Sequence, residues 1–69
     1  MIKTYVLRDP NPGEYEYLYT FEVNTETNRV RIIQQNMASF TKPPVVMERS
    51  LEDARKEWRR RLACGYEQC

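Results

Sequence analysis

Histidine is absent from this chain, and glycine and cysteine occur only twice each. Without an imidazole the commonest general base is missing. Ser39 and Ser50 have no identifiable partner that would make them nucleophiles, and two glycines cannot build a glycine-rich phosphate loop. Cys64 and Cys69 fall short of the four ligands of a structural zinc unless a second subunit contributes, so neither a metal nor a cofactor is expected. The same two thiols are too few for the multi-bridge framework of small secreted domains, and a bridge between them would staple only the tail. Long apolar runs are lacking as well. The opening segment meets a charge at Lys3 and again at Arg8, which excludes a signal-peptide core or a membrane span there. Together these absences point to a non-enzymatic, cytoplasmic protein with no membrane partner.

Sixty-nine residues suffice for one domain, spanning 1–69. A chain of this size buries roughly 60% of the surface its unfolded form exposes, which leaves little core for a deep, water-free pocket. Eleven basic and ten acidic residues nearly cancel, so no global field draws the protein to a polyanion. Any charge-based recognition must be local, and the mild basic excess lies after Phe40.

Tyr15-Glu16-Tyr17-Leu18-Tyr19-Thr20-Phe21-Glu22-Val23 carries an aromatic or β-branched residue at every odd position, the period of a half-buried strand. Ahead of it, Ile2 to Arg8 reads as a strand that runs into Asp9-Pro10-Asn11-Pro12-Gly13, a reversal. Behind it, the polar run Asn24 to Asn28 leads to Arg29-Val30-Arg31-Ile32-Ile33-Gln34, completing a hairpin with Val30 and Ile32 on the aromatic face. The aromatic strand belongs at the centre of the meander.

Ser50 precedes a run of good helix formers from Leu51 to Cys64, and Gly65 follows, which is the order of an N-cap, a helix and a C′ residue. Leu51, Ala54, Trp58 and Leu62 share one stripe. The fold class is therefore α+β: a three-stranded antiparallel meander packed against one C-terminal helix, with Val45-Val46-Met47 offering a short fourth strand.

Two features admit both a structural and a functional reading. The tyrosine row could stack single-stranded bases, but a small domain must bury its largest side chains, so a core facing Trp58 is expected. Arg55, Lys56 and Arg59-Arg60-Arg61 could grip phosphates or an acidic surface, yet Glu52, Asp53 and Glu57 share the helix and offer pairs Glu52 to Lys56 and Glu57 to Arg61. Between meander and helix, the segment from Asn36 to Arg49 is long and interrupted by Pro43-Pro44. Phe40, Val46 and Met47 either fold over the second sheet face or dock a partner.

The helix and its exit, Ala54-Arg55, Trp58, Leu62 and Gly65-Tyr66, resemble the C-terminal pattern of small uncharacterised cyanobacterial-type proteins in which a short β-meander precedes such a helix. The resemblance covers the last quarter of the chain and implies a cytoplasmic accessory role with no assigned activity. The expectation that follows is a protein-interaction module, monomeric or homodimeric, recognising an acidic or apolar protein surface through Arg55, Arg59 and Arg60 with Phe40, Val45 and Met47. The alternative is a weak nucleic-acid-binding domain using the same helix. Strand acids Glu14, Glu16, Glu22 and Glu26 oppose that alternative, since they repel a phosphate backbone.

Overall fold

In the computed structural model, residues 1–9, 17–36 and 42–69 are described. The first strand, β1, runs Ile2–Arg8; β2 is Tyr17–Asn24, β3 Arg29–Asn36 and β4 Val45–Ser50. The helix α1 spans Leu51–Ala63, and a two-residue strand β5, Glu67–Gln68, closes the chain. The strands form one antiparallel sheet in the order β4-β3-β2-β1-β5. The aromatic strand is central, and the expected α+β meander with its added fourth strand is what the chain builds. Tyr15 and Phe40 lie outside the described residues.

Strand alternation sorts the side chains into two faces. In register, Leu7, Tyr19, Gln34 and Val45 form one row, and Tyr5, Phe21, Ile32 and Met47 the next, all facing the helix. Leu7, Tyr19, Phe21, Val30, Ile32 and Ala54 are buried there, with Trp58, Leu51, Met47 and Tyr66 packed around them. Trp58 stands edge-on to Phe21, with ring centroids 5.2 Å apart, and edge-on to Tyr5 at 6.0 Å. Tyr19 and Phe21 are thus core rather than a stacking platform, with Tyr17 partly buried against them. On the opposite face Val6, Thr20, Ile33 and Val46 lie side by side across four strands. Val46 and Met47 are neighbours in sequence and therefore face opposite ways, so only Val46 joins that second face.

The turn between β2 and β3 is held by Asn24, whose Oδ1 accepts from the amides of Glu26 and Thr27. It closes through Asn28 at φ 55°, a left-handed conformation that asparagine tolerates. The carbonyl of Asn28 then accepts from the amide of Leu51, tying the turn to the start of the helix. Strand β4 is longer than its three apolar residues suggest, because Glu48, Arg49 and Ser50 continue the ladder to Arg29. No loop separates β4 from α1. Ser50 ends the strand and also caps the helix, its Oγ accepting from the amide of Asp53 at 3.2 Å.

At the other end Gly65 adopts φ 98°. The amide of Tyr66 donates to Arg61 and that of Gly65 to Leu62, the paired bonds of a Schellman motif. This reversal sends the chain back along β1 as β5, a strand too short for hydrophobic periodicity to reveal. The helix stripe also differs from expectation: Leu62 is 41% exposed, and Arg61 points inward instead. At about 100° per residue, Ala54 and Trp58 define the stripe's centre, and Arg61 and Leu62 flank it on opposite sides.

Because Ile32 is wholly buried, Ile32→Ala is expected to cost about 2–5 kcal/mol. Ser50→Ala, which deletes only the cap, should cost about 1 kcal/mol. Urea unfolding followed by Trp58 fluorescence checks both, and equal midpoints for the two variants would contradict this division of the stability.

Candidate functional site

Cations that already hold a carboxylate have little charge to offer a partner, so the ion pairs sort the arginines. On the open sheet face, Arg31 Nε lies 3.0 Å from Glu22, Arg29 3.9 Å from Glu48 and Arg8 3.5 Å from Glu67. On the helix, Lys56 pairs with Glu52 at 3.8 Å, while Arg60 and Arg61 share Glu57 at 3.2 and 3.8 Å. The two i,i+4 pairs expected from sequence are both present. Among the described residues, Lys3, Lys42, Arg49, Arg55 and Arg59 form no ion pair.

Two of these cations line a common depression. A groove of about 490 Å³ runs between the first half of α1 and strands β1 and β2. Phe21 and Val23 contribute its apolar floor, Trp58 and Tyr5 its aromatic wall, and Lys3 and Arg55 its charge. Among the described residues, no carboxylate lines it. Lys3 reaches the groove because it shares the helix-facing parity of Tyr5 and Leu7, and Arg55 because it lies beside Leu51 and Trp58 on the helix surface. Arg59 follows one turn later on the same flank. The combination of apolar floor, ring edges and two unpaired cations suits an anionic, partly apolar ligand.

The site residues expected from sequence are divided by this geometry. Arg55 lines the groove and Arg59 adjoins it. Arg60 lies on the other flank, in a shallow depression with Arg49 of β4. Arg49 in turn reaches the sulfur of Met47 at 3.6 Å. Met47 packs against the core, and Val45 is 52% exposed on the edge strand. Arg60, Val45 and Met47 therefore belong to the β4 side, and Arg55 and Arg59 to the β1 side; Phe40 lies outside the described residues. Sequence reasoning missed Lys3 as a site residue. The signal was its parity with Tyr5 and Leu7.

Arg61 does structural work. Its guanidinium lies 3.7 Å from the centroid of the Tyr19 ring and 5.6 Å from that of Tyr66, while its Nε is buried with no hydrogen-bond partner among the described residues. The ring faces stabilise the guanidinium's charge. Burial raises the pKa of Tyr19 above its ordinary value of 10.0; the Arg61 charge opposes this, and the neighbouring Tyr66 adds to it.

No family model matches the chain, and no curated protein or solved structure matches it at a significant level. The function must therefore be argued from the site.

The Tyr19 environment makes stability pH-dependent. A folded-state pKa raised above the unfolded value gives stability that is complete below pH 10.0 and is lost as pH rises from there through the folded value. Unfolding free energies measured from pH 9 to 11 should fall, and Tyr19→Phe should flatten that decline. Arg61→Ala is expected to cost about 1–2 kcal/mol, against about 0–1 kcal/mol for Arg60→Ala, whose own side chain is largely exposed. Thermal unfolding of the two variants compares them directly.

Proposed function

We propose that this protein is a non-catalytic interaction module, an accessory protein that recognises an acidic, partly apolar segment of another protein in the groove between α1 and β1. The observation that carries the reading is that Lys3 and Arg55, both without ion pairs among the described residues, line one groove with an apolar floor and no carboxylate among its described lining. Charge arranged in this way favours an anionic partner and repels a basic one. The aromatic side chains of the wall supply the desolvated contact area that anchors protein segments.

Nucleic-acid binding through the same helix has less support. The strand arginines Arg8, Arg29 and Arg31 are each beside a carboxylate, and Tyr19 and Phe21, which could have stacked on bases, are buried under the helix. Phosphate recognition needs a row of available cations, whereas Lys3, Arg55 and Arg59 sit around an apolar depression. No helix among the described residues is long and apolar enough to cross a membrane.

The test is a titration of the labelled protein with two probes, read residue by residue by NMR. One is the end-blocked peptide Thr-Leu-Thr-Glu-Thr-Leu-Thr-Glu-Thr, which presents acid and apolar side chains; the other is a single-stranded oligonucleotide of equal length. The peptide should shift Lys3, Tyr5, Arg55 and the Trp58 indole, and the double variant Arg55→Glu, Arg59→Glu should weaken it by about tenfold or more, some 1.4 kcal/mol. If the oligonucleotide moves these residues with a steep salt dependence and the peptide does not, the nucleic-acid reading replaces this one. If neither probe moves them, the interaction reading fails.

A further inference from the structure

The groove borders an unfinished sheet edge. The amide of Asp9 donates to the carbonyl of Tyr17, and that of Thr25 to Met1. In an antiparallel ladder these bonds recur at every second residue, so Lys3, Tyr5 and Leu7 direct their amides and carbonyls at β2. Ile2, Thr4, Val6 and Arg8 direct theirs outward. Strand β5 meets that outer edge only at Leu7 and Arg8, and the amide of Cys69 adds a bond to the Val6 carbonyl. Beyond this point no described residue pairs with β1, and the amide and carbonyl of Ile2 and of Thr4 line an open edge.

We infer that the groove takes its partner by strand addition: an extended segment of the partner protein pairs antiparallel with Ile2–Tyr5, prolonging the lane that β5 begins. This rests on the reading of the groove as a protein-binding site and specifies its mode. Register gives the recognition chemistry. Residues opposite Ile2 and Thr4 exchange backbone hydrogen bonds and place their side chains on the open sheet face. Residues opposite Tyr5 and Lys3 place theirs in the groove, as Gln68, opposite Leu7, already does. An apolar side chain opposite Tyr5 meets the Trp58 wall. An acidic one two residues later meets Lys3, with Arg55 lining the same groove. The partner is thus an extended stretch with apolar and acidic residues at alternate positions, and backbone bonds supply its sequence-independent affinity. Charge complementarity selects this occupant over a second copy of the chain, because pairing two β1 edges would bring the Lys3 and Arg55 cations of both copies to grooves whose described lining holds no carboxylate.

The experiment uses the same peptide and a version N-methylated at its threonines, which keeps every side chain and removes the donors aimed at Ile2 and Thr4. It also uses Thr4→Pro, which deletes an outward amide and leaves the β2 ladder intact. N-methylation and Thr4→Pro are each expected to weaken binding by about tenfold, and hydrogen exchange at Ile2 and Thr4 should slow by at least that factor at saturation. If the plain and methylated peptides bind alike and exchange at Thr4 is unchanged, the segment lies in the groove without joining the sheet; strand addition is then overturned and the binding site stands. If the plain peptide does not bind at all, both fail. The methylated peptide decides the matter even if Thr4→Pro does not fold, and sedimentation showing dimers that the peptide cannot dissociate would assign the edge to a second copy.

Discussion

One helix about 10 Å across cannot cover a sheet in which five strands spaced about 4.8 Å apart present a much broader face. Where that helix lies therefore determines what else the molecule has. Because α1 begins immediately after the residue that ends β4, its backbone comes closest to β4 and β3, and the far side of the same face receives only side chains reaching across. Trp58 reaches Phe21 and Tyr5, and Arg61 reaches Tyr19 and Tyr66. The groove is the part of the face that neither covers.

The large side chains on the far side explain how such a small core holds together. Tyr19, Phe21, Trp58 and Tyr66 supply bulk where aliphatic residues are few, and their edge-on contacts let rings from strand, helix and tail interlock. A cation over Tyr19 fits the same scheme, since a guanidinium is flat, weakly hydrated and attracted to a ring face. The exposed sheet face is organised by different means. There Glu22, Arg31 and Glu48 stand side by side across three strands, so that each charge has a neighbour of opposite sign beside the β-branched row.

Much of this was legible in the sequence where local pattern and tertiary role coincide. Alternation in Tyr17 to Val23, the Ser50 cap and Gly65 each report a backbone state that their own neighbours enforce. What was not legible depended on distant segments. Glu67–Gln68 is a strand because the Schellman turn delivers it to β1, and no two-residue stretch carries a period of its own. Arg61 faces inward because the ring of Tyr19 awaits it, while by hydropathy Leu62 had the better claim. The site suffered most from this distance. Arg55 was recognisable as a surface cation, but its companion Lys3 stands near the other end of the chain, and sheet order alone unites them. Arg60 looked equivalent to Arg55, and helix rotation places it on the opposite flank.

The joint at Ser50 sets the mechanical character of the molecule. A hinge needs residues whose dihedrals are free to change, and this junction has none: Ser50 is paired to Arg29 as strand, bonded to Asp53 as cap, and followed by an amide that the Asn28 carbonyl holds. Swinging the helix outward would break strand, cap and turn together. The joint therefore anchors the start of the helix over the sheet, and with it the side of the groove that Leu51, Ala54 and Arg55 form.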